Sequence, residues 1–218
     1  MNRFLALWGT TVGKKVAMAS TGFVMILFLI SHMVSNVLIF SNPHHLDSYA
    51  AWLRSLGPAL WLARAVLLTC VVVHIIAAWQ LTRRAHRARP IDYNRHELQV
   101  AGYAARTMRW GGVLLVFFII FHLLHFTTGT LHPDFHPGEV GRNVIVGMRV
   151  TPVAVFYLVS MLALGLHFGH GIWSALHTLG FNHPAYSRAM RLVAWGLAIL
   201  VAGGFATIPA AAILGYLR

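Results

Sequence analysis

The sequence predicts an all-α integral membrane protein, a bundle of five transmembrane helices with the N-terminus in the cytoplasm and the C-terminus outside. Three observations predict it. Of 218 residues, 58% are hydrophobic and only 10% charged, far below the roughly 25% charged share of soluble domains. Five apolar stretches, about 16–40, 58–82, 109–128, 151–177 and 191–214, approach or exceed the ~20 residues that cross a bilayer core. The longest connections, near 83–108 and 129–150, are loop-sized. The chain therefore reads as one transmembrane domain over residues 1–218.

The charge pattern gives the orientation. Of the 17 Lys and Arg, 12 collect before the first span, between the second and third, and between the fourth and fifth. The positive-inside rule puts those segments in the cytoplasm. A formal charge of +12 could suggest nucleic acid, but this alternation points to phospholipid headgroups or an acidic protein face.

The first span follows "GTTVGKKVAMASTG" and ends at "FSNPHHLD", where Asn-Pro terminates it. Its apolar run exceeds a signal-peptide core and no small-residue cleavage site follows, so it reads as retained. The second enters at Gly57-Pro58, with Pro in the first turn, and ends in "LTRRAHRARP". Its Cys70 is the single cysteine, which excludes a disulfide framework and CxxC or CxxCH motifs and reads as a small core residue. The third span opens at "RTMRWGG" and dissolves in "TTGTLHPDFHPGEVG". The fourth runs from Thr151-Pro152 to "HTLGFNHP", and the fifth offers small residues in "AGGFATIPAAAILG" for close helix contact.

Histidines mark the candidate site. His32 lies on the first span, His74 on the second, His122 and His125 on the third, and His167 and His170 on the fourth. Ionisable groups inside a span are functional candidates, with partners to be named. A helix rises about 1.5 Å per residue. His32, 17 residues past Lys15, and His122, 13 past Arg109, sit roughly 25 and 20 Å from the cytoplasmic side. His74, 9 residues before Arg83, and His167, 10 before His177, sit roughly 15 Å from it. The depths sort them into an outer pair, His32 with His122, and an inner pair, His74 with His167. Two stacked bis-histidine sites are what two b-type haems need, because neutral imidazole ligates iron. A lone intramembrane histidine more often packs; four on four helices at two levels favour ligands. Gly22, Gly111, Gly112, Gly165, Gly169 and Gly171 offer room for a flat cofactor. His125 and His170 read as supporting or propionate-side residues, and His44, His45, His132 and His136 as solvated loop residues.

At these residues the chain resembles the cytochrome b subunit of succinate dehydrogenase and fumarate reductase, of the single-subunit, five-helix, di-haem type. The matching stretches are "GKKVAMASTGFVMILFLISHMVSN", "VVVHIIAAWQLTRRAHRARP", "RTMRWGGVLLVFFIIFHLLHFTTGT" and "LALGLHFGHGIWSALHTLG", which cover most of residues 12–183. The resemblance implies axial ligands at His32 and His122 (outer haem b) and at His74 and His167 (inner haem b), and favours His122 over His125 and His167 over His170. It implies a flavoprotein and an iron–sulfur partner on the cytoplasmic side, a quinone, with menaquinone favoured, and a bacterial inner membrane. Ser20, Arg106 and His177 are candidates for the propionate or quinone side, with Trp173 nearby. Gly165 stands where some family members carry a glutamate, and no Asp or Glu lies in any span, so the family's proton route is not expected. The chain has no nucleotide fingerprint and no cluster-binding cysteines, so it would be enzymatic only within a complex. Two readings compete: a haem b subunit of a membrane hydrogenase or formate dehydrogenase, and a haem-free transporter with histidine relays.

Overall fold

The computed structural model describes residues 7–88, 103–181 and 183–217, with the side chains of 103–106 excepted. Among them there is no strand, and five helical segments are long and apolar enough to cross a membrane. The protein is a multi-pass membrane helix bundle. The spanning helices are α1 (Thr11–Asn36, tightening into a 3₁₀ turn at Val37–Phe40), α3 (Pro58–Arg87), α4 (Tyr103–His122, continued by a π-helical turn at Leu123–Thr127), α6 (Thr151–Thr178) and α7 (Pro184–Ile213). Two short helices, α2 (Pro43–Ser55) and α5 (Val140–Met148), lie between them.

The helix starts follow local chemistry. Thr10 caps α1, its hydroxyl accepting from Gly13 N–H at 2.9 Å. Gly57 takes φ +53° and hands the chain to Pro58 at the first turn of α3, a conformation that suits glycine. His183 caps α7 through Nδ1, with Pro184 behind it. After α6, Gly180 at φ +93° lets Phe181 N–H reach back to the Leu176 carbonyl.

Several sequence expectations need correction. The helices outrun their apolar stretches at the charged end: α1 starts at Thr11 rather than near residue 16, α3 runs to Arg87 rather than 82, α4 starts at Tyr103 rather than 109, and α7 starts at Pro184 rather than 191. Hydropathy marks what can sit in lipid, and a helix continues past it until a cap or breaker intervenes. Lys14 stays within α1 by donating to the Trp8 carbonyl at 2.7 Å and lying over the Trp8 ring. Residues 41–57 and 129–150 are not plain loops. Asn42-Pro43 ends one helix and caps the next, and α5 is held by packing, burying Val144, Ile145 and Met148. Asp47 on α2 accepts from Gly141 N–H at 2.9 Å, fastening α2 to α5. Cys70 is not a core residue: it is half-buried on α3, whose only buried residue is Ala77.

The helices alternate in direction, so one end of the bundle, the capped end, carries α2 and α5, and the other, the basic end, carries most of the Lys and Arg. At the basic end Arg84 donates to the Gly9 carbonyl at 2.7 Å and Arg109 meets His86 at 2.9 Å. Arg3, Arg89, Arg95 and Arg218 lie outside the described residues. α6 is the central helix, packed on α7, α4 and α1, whereas α3 packs on α1 and makes no other substantial helix contact. In the most apolar window of α6, 44% of residues are buried, against 6% for α3. One core cluster joins Ile39, Leu46, Val144, Tyr157 and Ile208 at the capped end, and another joins Met33, Phe168, Ala198 and Val201 between α1, α6 and α7.

Candidate functional site

The structure brings the intramembrane histidines together in two pairs. His32 on α1 and His122 on α4 stand with ring centroids 5.9 Å apart and planes nearly perpendicular. His74 on α3 and His167 on α6 stand 6.3 Å apart at 57°. In each case the two helices share no substantial backbone contact of their own. The imidazoles meet across slots between helices, where two packed side chains would otherwise leave a gap.

These separations have a chemical meaning. A metal–imidazole bond is about 2.0 Å, and with roughly 1 Å more to each ring centroid, two imidazoles on opposite sides of one ion have centroids roughly 6 Å apart. Among the described residues no three His, Cys, Asp or Glu side chains converge on a point that could hold an ion. A pair of imidazoles therefore suits a metal that arrives with its other ligands already attached, as iron does in a porphyrin.

The surroundings decide which ring nitrogen each histidine can offer. His74 Nδ1–H donates to the Met18 carbonyl of α1 at 3.1 Å, with Thr21 Oγ1 at 3.4 Å. That fixes the tautomer and leaves Nε2 as the free base, the arrangement found behind metal-bound histidines. His122 Nδ1 lies 3.3 Å from the Tyr157 hydroxyl, which can accept from it or donate to it, and only the first leaves Nε2 as the free base. At His32 the Asn36 amide nitrogen donates to the His32 carbonyl at 2.7 Å and stands 3.3 Å from Nδ1. A donor there places the ring proton on Nε2, so for His32 to ligate through Nε2 the longer 3.3 Å contact must give way while the amide nitrogen stays on the His32 carbonyl. The Met108 backbone approaches the His167 ring, yet its Nδ1 is buried without a hydrogen bond. Two facing imidazoles at each level are a donor set that would fit a haem b, whose iron takes one imidazole on each side.

The glycines divide differently from the sequence expectation. Gly22 faces His74 rather than His32, and Gly112 faces His167; a Cβ at either would stand 3.5–3.6 Å from the ring. Gly165 and Gly169 do not open space for a cofactor. They seat α7, against Ala202 and the Trp195 ring. Gly111 and Gly171 face open space.

His125 is fully buried. The π turn advances each residue less around the axis than an α turn does, so His125 departs from the face of His122, and its Nδ1 lies 3.1 Å from the Tyr157 hydroxyl. His132, expected to be solvated, is half-buried and stacked on His125 at 5.0 Å. Its Nε2–H donates to the Asn143 carbonyl at 2.8 Å, and its Nδ1 accepts from Asp134 N–H at 3.0 Å, which makes it a fastener of the loop. His44 and His45 are exposed on α2, and His136 is exposed beside Asp134.

Toward the basic end, His177 packs against Trp173 with centroids 4.1 Å apart and planes at 58°, Arg191 lies over the Trp173 ring, and His177 Nε2 is buried without a hydrogen bond. Ser20 is on the exposed side of α1. The Arg106 side chain lies outside the described residues. Sequence reasoning missed Tyr157 and Asn36, the two side chains that address ring nitrogens of the pair near the capped end; Tyr157, ten residues before His167, reads in sequence as one more apolar-face aromatic. No family model, no curated protein and no solved structure matches this chain.

Proposed function

We propose that this chain is the haem-bearing membrane anchor of a succinate:quinone oxidoreductase in a bacterial inner membrane. The observation that carries this reading is the arrangement of four histidines, from four different helices, as two facing imidazole pairs at two depths, 5.9 and 6.3 Å between centroids. The resemblance of residues 12–183 to the di-haem cytochrome b subunits supports the specific complex. Two bound haems b supply one-electron redox centres at two levels of the bilayer.

The chain's own residues hold and insulate those centres. His32 and His122 form the outer site and His74 and His167 the inner one, taking the basic end as cytoplasmic by the positive-inside rule. The basic end, with Lys15, Arg83, Arg84, Arg87, Arg109 and Arg191, is the docking face for the iron–sulfur and flavoprotein subunits, which carry the succinate chemistry. Trp173, His177 and Ser20 lie toward that end, where propionates or a quinone headgroup, menaquinone for this type, would be held. Aromatic packing by Phe118 and Phe126 around His122 keeps water from the outer pair.

A pyridine haemochrome assay on the purified protein tests the reading. The expected result is about two haems b per chain, falling to about one in His32→Ala and in His74→Ala. A chain without haem overturns it.

A further inference from the structure

The Tyr157 hydroxyl occupies a place that packing alone does not require. Tyr157 is buried against Phe118 at 5.1 Å and Phe126 at 5.8 Å, edge to face, and a phenylalanine would make the same contacts. Its oxygen nevertheless lies between two histidine nitrogens, 3.3 Å from His122 Nδ1 and 3.1 Å from His125 Nδ1. A hydroxyl has one proton, so it can donate to at most one ring and must accept from any ring it does not donate to. His125 is fully buried and its Nε2 has no hydrogen-bond partner. Gly147 leaves no space there for one, since even a Cβ would stand 2.8 Å from that nitrogen. Among the described residues, the one hydrogen-bond partner of the His125 ring is therefore Tyr157.

We infer that Tyr157 is the positioning residue of the outer pair: it accepts from His122 Nδ1–H and donates to His125 Nδ1, so that His122 presents Nε2 as a free base toward His32. This rests on the haem reading above and names the group that selects the tautomer at one of its four ligands. The opposite direction, with the proton on His125 Nδ1, places the His122 proton on Nε2 and closes the site. His125 is the counterweight: buried and held at Nδ1, it accepts a hydrogen bond from the Tyr157 hydroxyl without opening to lipid. A second-sphere acceptor on Nδ1–H raises the basicity of the ligating nitrogen, which favours the oxidised iron and lowers the potential of the outer haem.

The test is Tyr157→Phe in the purified haem-containing protein, with His32→Ala identifying which optical and electron-paramagnetic signals belong to the outer haem. An upward shift of the outer haem's midpoint potential and a change in its low-spin spectrum, with the inner haem unchanged, supports the inference. So does loss of the outer haem alone. Unchanged potentials and spectra for both haems overturn it, and so does equal loss of both, which would make Tyr157 a general packing residue. Histidine ¹⁵N spectra of the same proteins give a haem-independent readout. Wild-type protein should show His122 protonated at Nδ1 and His125 at Nε2, with Tyr157→Phe disturbing both. If wild-type protein contains no haem while these nitrogen signals appear and respond, the haem reading fails and the positioning role stands.

Discussion

At the scale of single residues, glycines separate sites that must stay empty from sites that merely are. A Cβ on Gly147 would stand 2.8 Å from His125 Cε1 and 2.9 Å from His132 Nε2. Those rings are pinned by Tyr157 and by the Asn143 carbonyl and cannot retreat. Gly147→Ala should therefore destabilise the fold by about 1–3 kcal/mol, the usual cost of overpacking, read as a lowered unfolding temperature in detergent. Gly112→Ala is the contrast. Its Cβ would make ordinary contact with His167 at 3.6 Å and gains about 1 kcal/mol of helix propensity, so the unfolding temperature should hold or rise. The histidine pairs were legible from sequence because depth along a helix follows from counting residues. Tyr157, Asn36 and the role of Gly147 were not, because they depend on which faces meet.

Among elements, α6 and α7 form the tightest seam, and Gly169 is its narrowest point. A Cβ there would stand 2.7 Å from the Trp195 ring, which is too rigid to move aside as a flexible side chain would. Gly169→Ala should loosen α7 at a cost of about 1–3 kcal/mol, seen as faster proteolysis of the 178–184 connection in bilayer-reconstituted protein. The connection before α5 carries a separate pH response. The Arg142 guanidinium and the His136 ring hold the Asp134 carboxyl below the usual carboxylate range. Its contribution to loop order is present above that range and is lost as pH falls through the lowered value. Asp134→Asn should speed amide exchange in residues 131–139 at neutral pH, and the difference from wild type should vanish in strong acid. The five spans were legible because apolar length is a strong signal. The two short helices were not: α5 has nine residues, two of them glycine, and owes its helicity to the core beneath it rather than to propensity. The π turn at His125 leaves no mark in the sequence either, since it is set by the rings it must seat.

For the whole molecule, the charge pattern carries the proposed orientation. With the basic end cytoplasmic, an impermeant thiol reagent should label His45→Cys from outside intact cells, and Arg87→Cys only after permeabilisation, both in a Cys70→Ala background. The reverse pattern would invert the topology and the assignment of outer and inner sites with it. The number of spans was legible from apolar length; which helices neighbour which was not, and α3 meets α1 alone in substance because nothing in its apolar face names a neighbour.

Each histidine pair joins a helix from the first part of the chain, α1 or α3, to one from the second, α4 or α6. During synthesis the first two spans enter the bilayer with His32 and His74 unmatched, and neither pair exists until translation has passed residues 122 and 167. Severing the polypeptide between α3 and α4 would thus give two fragments, each holding one imidazole of both pairs. Their reunion would restore both sites together, and a single fragment would restore neither.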